Sequence, residues 1–339
     1  MTAPLEQGEL GDAELESRLV WLFGSPRSGS TWLVEMLCHP LNLVLDPGSE
    51  LGFGWPAGWD EAANAIPVDG LQVSAHIAPA VFGHSVSADT LEGDDGEVLP
   101  RTLNRQAGPR GTYVLSPAYR DVWRPHLRRL VLARLHAIVE RAERAGLRAP
   151  AKGPLLVIKE VDDSHGADVV MSLFPRSRML FLVRDGRDVL DSLLDANRPG
   201  GWLSNVGWGT GEFETEQEKL QWVREHSRNW VARMNACRHA YEAHDPALRK
   251  QVRYEDLLAD TPAVLGDIAG WLDLPATPEA VEAIAASHAF AALPEGGKGP
   301  GMFRRSATAG TWRQGLSDPE QEVAREVMGE TLSQLGYGS

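Results

Sequence analysis

Arg27, Ser28, Ser30 and Thr31 lie in the stretch VWLFGSPRSGSTWLVEML, Val20 to Leu37, and together offer donors to an oxyanion. Gly24, Gly29 and Thr31 fall on the fixed positions of the phosphate-loop pattern G-x-x-x-x-G-K-[ST]. Ser30 stands where that pattern has its lysine, and the loop's basic residue, Arg27, comes three positions earlier. The two glycines let the backbone turn tightly and aim successive N–H groups inward. A helix opening near Thr31 adds unpaired N–H groups and a dipole, which stabilises an anion by about 0.3 to 2 kcal/mol. In nucleoside triphosphatases the lysine reaches the β- and γ-phosphates while Ser or Thr holds magnesium. A planar guanidinium inside the loop is suited instead to gripping a transferring group or its leaving oxygen. The chemistry expected is that of a phosphate-like donor handled without a metal.

Such a loop needs a strand before it and a helix after it. Leu19 to Phe23, Leu155 to Ile158 and Met179 to Val183 are apolar runs with the length of buried parallel strands, and Gln251 to Tyr254 is a shorter candidate. Each is followed by a segment of helical periodicity, the pattern of a doubly wound α/β sheet. Ligands in such sheets bind beyond the carboxyl ends of the strands, where the notable residues cluster. Leu51 to Gly111 is rich in Gly, Pro, Trp and Asp and reads as loops and short helices over the sheet. Tyr119 to Gly146 reads as a long helix with Val122, Leu127, Leu130, Val131, Leu135 and Val139 on one face. Glu218 to His244 and Thr261 to Leu272 read as further helices. We therefore expect a single α/β domain over 1–339, a three-layer parallel sheet flanked by helices, with a flexible segment at 1–17 and an inserted cap at 52–150 that binds the acceptor.

At 339 residues the chain can bury a large core. Its formal charge of −14 argues against a general nucleic-acid binder, because polyanion affinity needs clustered Lys and Arg. A small anion can still bind a local basic pocket. Cys38 and Cys237 are far apart with no metal-ligand spacing around either, which fits a reducing cytoplasm. The acidic first residues lack the basic and apolar regions of a secretory signal, and no window approaches a membrane span. A cytoplasmic protein with neither membrane nor metal partner is expected, its oligomeric state open.

The run PRSGSTWL, Pro26 to Leu33, resembles the 5′-phosphosulfate loop of the sulfotransferases that use PAPS, 3′-phosphoadenosine 5′-phosphosulfate. FLVRDGRDVLDS, Phe181 to Ser192, is similar to their 3′-phosphate motif, with Arg184 and Ser192 at the family's spacing. Physically, Arg184 at a strand end offers a fork to a phosphate and Ser192 a hydroxyl. MFRRSATAGTWRQGLS, Met302 to Ser317, resembles the segment that closes over the 3′-phosphate, matching at Phe303, Arg305, Gly310 and Trp312. It departs from the cytosolic enzymes' Arg-Lys-Gly by reading Arg305-Ser306-Ala307, so Arg304 or Lys298 is a candidate replacement cation. Tyr254 in VRYEDLLADTP matches a tyrosine that contacts adenine, and Trp32 matches a residue that stacks on the base or, alternatively, is a core aromatic.

The resemblance implies a P-loop sulfotransferase fold and in-line transfer of a sulfuryl group from PAPS to a hydroxyl, less readily an amine, of a small-molecule or carbohydrate acceptor, leaving PAP. It implies that Pro26 to Thr31 bind the cofactor, with Ser28, Gly29, Ser30 and Thr31 holding the 5′-phosphate and Arg27 stabilising the bridging oxygen. Lys159 either faces the sulfuryl group or serves a structural ion pair. The family histidine at the second strand end is absent, since the chain reads Lys159-Glu160-Val161. Candidate bases are Glu50 first, then Glu160 and His165, then His76, and each carboxylate has a solvated or salt-bridged alternative. Phe53, Trp55, Trp59, Trp202 and Trp208 either line an acceptor pocket or pack loops. Two other classes stay open: a P-loop kinase or NTPase-like phosphotransferase, and a non-catalytic adenosine-nucleotide module.

Overall fold

The continuous apolar runs become strands buried on both faces, as parallel strands covered by helices must be. The computed structural model describes residues 11–38, 65–69, 120–144, 155–161, 164–205 and 212–338. In chain order the elements are α1 (Asp12–Ser17), β1 (Leu19–Gly24), α2 (Ser30–Leu37), β2 (Ala65–Asp69), α3 (Arg120–Arg144), β3 (Leu155–Lys159), α4 (Ala167–Leu173) and β4 (Arg178–Val183). They continue with α5 (Gly186–Asn197), α6 (Trp202–Asn205), α7 (Glu216–Ala243), β5 (Arg249–Arg253), α8 (Tyr254–Ala259), α9 (Thr261–Trp271), α10 (Pro278–Ser287), α11 (Trp312–Gly315) and α12 (Asp318–Gln334).

The five described strands form one parallel sheet in the order β2-β3-β1-β4-β5. Alternate residues of each strand face opposite layers. Trp21, Phe23, Leu156, Ile158, Met179 and Phe181 meet α3, α4, α5, α7 and α12. Val20, Leu22, Val157, Leu180 and Leu182 meet α2, α8, α9 and α10. The result is the expected three-layer α/β architecture. From central β1 the chain runs out to β2, returns to β3 and then crosses β1 to β4, and a reversal of this kind is where α/β sheets open a crevice. Register pairs Leu22 with Lys159 and Gly24 with Leu182, which brings Gly24, Lys159 and Arg184 to the same edge of the sheet.

Helix starts are specified locally. Asp185, Thr215, Asp260 and Thr277 accept N-terminal N–H groups of α5, α7, α9 and α10, and Ser317 with Glu320 forms a capping box on α12.

Three expectations need correction. Ala65–Asp69, read as part of a loop region, is a strand paired with β3, and its Pro67 is tolerated because β2 lies at the edge among the described strands. The long helix α3, grouped with the insertion, packs into the core through Leu127, Val131, Leu132, Leu135, Ile138 and Val139, while Val122 and Leu130 are 59% and 57% exposed. Residues 12–17 of the expected flexible segment form α1, with Leu15 and Glu16 buried. Glu16 accepts from Arg128 Nη2 at 2.6 Å and from the Arg176 N–H at 2.8 Å, tying α1 to α3 and to the turn before β4.

Replacing Glu16 with Ala leaves a partly buried guanidinium and a backbone N–H without their acceptor. We expect E16A to lose about 2–3 kcal/mol in urea unfolding and E16Q to lose less. An E16A stability equal to that of the parent chain would mean that the Glu16 contacts contribute nothing to the fold.

Candidate active site

β1 ends at Gly24 because nothing larger fits. A Cβ there would lie 2.5 Å from the Leu182 carbonyl oxygen, and the Gly24 N–H donates to Ser164 Oγ at 3.0 Å. The chain then turns with Arg27 at φ +67° and Gly29 at φ +86°, both left-handed, on either side of buried Ser28. Alternating hands of this kind turn successive N–H groups to one concave side, forming an anion nest. Gly29 is also the N-cap of α2 and has no capping side chain to occupy the helix N–H groups. The ring of Tyr254 lies against it: a Cβ at Gly29 would be 2.6 and 2.7 Å from Tyr254 Cδ2 and Cε2. The buried hydroxyls of Ser25 and Ser28 have no hydrogen-bond partner among the described residues. Such orphaned donors around a nest fit an oxyanion.

Cations converge on the same place from three elements. Arg27 Nε donates to Ser192 Oγ at 3.0 Å and its Nη2 to the Phe303 carbonyl at 2.6 Å. Its guanidinium lies 5.5 Å from the Trp202 ring centroid and 5.1 Å from that of Phe303. Burial first, and then neighbouring Arg184, lower the Arg27 pKa to about 10, which leaves it charged at neutral pH. Arg184, from the end of β4, donates to the Arg27 carbonyl at 2.6 Å and stacks 4.4 Å over Tyr254, while its buried Nε has no described partner. Burial raises the Tyr254 pKa although Arg184 opposes it. Lys159 Nζ donates to Thr31 Oγ1 at 3.3 Å, joining the end of β3 to the first turn of α2.

The C-terminal segment 301–312 crosses this cluster as a strap. Arg304 binds both carboxylate oxygens of Glu35 on α2, one of them at 2.6 Å. Arg305 turns the other way, its Nη1 2.8 Å from Asp191 Oδ2 on α5. Asp188 accepts the N–H groups of Gly310 and Trp312 at 2.7 and 3.1 Å, and Asp195 accepts that of Gly301 at 2.7 Å. Consecutive arginines are thus pinned to helices on opposite sides of the loop.

A sequence profile described as the sulfotransferase family matches residues 20–278, which span β1 through the start of α10. The chain belongs to the sulfotransferase family. No curated protein matches its sequence. Among solved structures it is similar to the sulfotransferase domain from the curacin biosynthetic pathway, at 18% identity over 94% of this chain and 97% of that one, with a TM-score of 0.43. It is also similar to a mouse sulfotransferase complexed with PAP, at 13% identity over 98% and 92% of the two chains, with a TM-score of 0.48. A third is a sulfotransferase from Mycobacterium avium, at 14% identity over 95% and 78%, with a TM-score of 0.47.

In this sulfotransferase the fold brings together Arg27, Ser28, Ser30, Arg184, Ser192 and Arg305, because Arg27 feels both Arg184 and Arg305. Pro26 and Thr31 are half-buried beside them. Trp32 is half-buried, meets Tyr254 edge-on at 6.3 Å and donates from Nε1 to the His288 carbonyl at 2.9 Å, so it packs with the core as well as facing the loop. Arg304 and Lys298, candidates for the missing cation, are paired with Glu35 and Glu295. Glu160 is buried just past β3, and His165 is half-buried on the short turn before α4. Glu50 and His76 lie outside the described residues, as do Phe53, Trp55, Trp59 and Trp208. Trp202 meets Phe303 edge-on at 5.0 Å and walls the Arg27 guanidinium.

Sequence reasoning missed Asp188, Asp191 and Asp195, which fasten the strap. Their spacing of three and four on a helix was visible and would have predicted one acidic face. Glu35 and Ser164 carried no signal, since only the folded chain brings them to Arg304 and Gly24.

We expect Gly29→Ala to abolish transfer while the chain stays folded, because the loop then needs a left-handed alanine and a displaced Tyr254 ring. Steady-state kinetics with circular dichroism checks this. Transfer kept within about twofold would mean that the loop does not need this backbone shape.

Proposed function

We propose that this sulfotransferase moves a sulfuryl group from PAPS to a hydroxyl, or secondarily an amine, of a small-molecule or carbohydrate acceptor and releases PAP. One observation carries the reading. The nest, with its orphaned Ser25 and Ser28 hydroxyls, opens beside Arg27, Arg184 and Ser192, which offers separate places for a 5′-phosphosulfate and a 3′-phosphate.

The acceptor oxygen attacks sulfur, the bond from sulfur to the bridging oxygen breaks, and the electron pair leaves on the 5′-phosphate of PAP. Charge builds on the bridging and equatorial oxygens, so fixed donors do most of the work. Loop N–H groups with Ser28, Ser30 and Thr31 hold the 5′-phosphate. Arg27 neutralises the bridging oxygen, and Lys159, joined to Thr31, stands by for the sulfuryl oxygens. The acceptor proton passes to a carboxylate or imidazole beyond the first strands: Glu50 by sequence position, with Glu160 and His165 placed at the end of β3. Tyr254 and Trp32 border the loop where an adenine would lie. Trp202, between α5 and the strap, contributes an apolar wall toward the acceptor. Both cysteines are free and buried, which supports a cytoplasmic setting.

The reading is tested by incubating the chain with PAPS and a panel of hydroxylated acceptors and following sulfuryl gain by mass spectrometry. Arg27→Ala should reduce transfer by about a hundredfold or more and leave PAP binding nearly unchanged. Activity retained in R27A would overturn the role given to that residue. Arg184→Ala should weaken PAP about fivefold and adenosine 5′-phosphosulfate far less, since that molecule lacks the 3′-phosphate. Equal weakening of the two nucleotides would remove Arg184 from the 3′-phosphate.

A further inference from the structure

Arg305, the strap residue assigned to the 3′-phosphate, is already held by carboxylates of α5. Asp191 Oδ2 lies 2.8 Å from Arg305 Nη1 and Asp195 Oδ2 lies 3.7 Å from its Nε. The same Asp191 oxygen accepts the Thr311 hydroxyl at 2.7 Å. Room for this buried carboxylate depends on Gly315, where a Cβ would be 2.0 Å from Asp191 Oδ1. Asp191 therefore occupies a shaped site and is not a stray surface charge. Its neighbour Ser192 carries the hydroxyl that Arg27 binds, so the carboxylate and the expected phosphate site share one turn of α5. Asp195 is within the field of Arg27 as well. On the strap, Ser306 adds no cation to balance these acids.

We propose that Asp191 is a specificity-determining positioning residue whose carboxylate stands in for a phosphate on Arg305. It keeps the strap fastened before nucleotide arrives and, as a like charge beside Ser192, weakens the hold on a 3′-phosphate. The chain then binds PAP only modestly better than AMP, the same nucleotide without the 3′-phosphate, and releases PAP readily. This rests on PAPS being the donor.

Calorimetric titration of PAP and AMP into the full chain tests the idea. In the parent chain the PAP-to-AMP affinity ratio should stay within about tenfold. Asp191→Asn keeps an acceptor for Thr311 but removes the charge, and it should tighten PAP about tenfold while moving AMP less than about twofold. Its KM for PAPS should fall and product inhibition by PAP should rise. Asp195→Asn should shift the ratio in the same direction by a smaller factor, and it decides the matter should D191N not fold. A ratio unchanged in both variants, or PAP weakened by D191N, overturns the role of Asp191 and leaves the donor assignment standing. Failure of both nucleotides to bind the parent chain overturns the donor assignment and this inference together.

Discussion

Arg27 is buried beside two like charges, Arg184 and Arg305, and the rest of the site is arranged around that repulsion. Arg27 responds to burial and then to Arg184, with Arg305 adding to the same effect and Asp195 opposing it. Like charges in a half-buried place separate unless something holds them. Here aromatic faces and carboxylates do so. Tyr254 takes Arg184, Phe303 and Trp202 take Arg27, and Asp191 takes Arg305. A multiply charged anion in the crevice adds a shared counter-charge to these separate partners. The acidic face of α5 and the strap that it fastens are thus consequences of assembling a cationic centre within a core.

The sheet makes that assembly geometrically inexpensive. Parallel strands end on one side, so residues far apart in sequence reach the same crevice with no special connection. Gly24 lies beside Leu182 with no room for a side chain, which draws the loop of β1 against the end of β4 and brings Arg27 to Arg184. From there α5 carries Ser192 back over the loop. The strap follows all five strands in the chain and is held by side chains of α2 and α5, both of which begin at the same crevice.

The sheet and the cation cluster were legible in the sequence for different reasons. β1, β3 and β4 are buried on both faces, and a burial pattern of that kind leaves an unbroken apolar run. β2 reads AIPVD, so Pro67 breaks its apolar run where β3, of the same length, is continuous. On α3 the apolar count predicted one face, but Val122 and Leu130 lie on its exposed side while Leu132 and Ile138 are buried, because which stripe turns inward depends on where α1, α4 and the sheet lie. Arg27 was readable from the loop pattern, and Arg184 and Ser192 from their resemblance to a known motif; the fold brings the three side by side. Glu35 and Asp191 were not, since their importance comes from partners about 270 and 115 residues away.

The overall charge bears on how a nucleotide reaches this centre. With a formal charge of −14, the long-range field repels an anionic donor, in contrast to proteins whose net charge draws their ligands in. Attraction must then come from within a few ångströms, from the nest, the first turn of α2 and the clustered arginines, and it strengthens as water leaves. Such a site discriminates by fit at close range. A longer polyanion would carry further phosphates away from these short-range donors and into the field of a net negative chain, whereas a single nucleotide keeps its charge beside them. The balance between a repelling exterior and a cationic interior therefore selects for small anions, which is the size of donor that the loop and the strap can enclose.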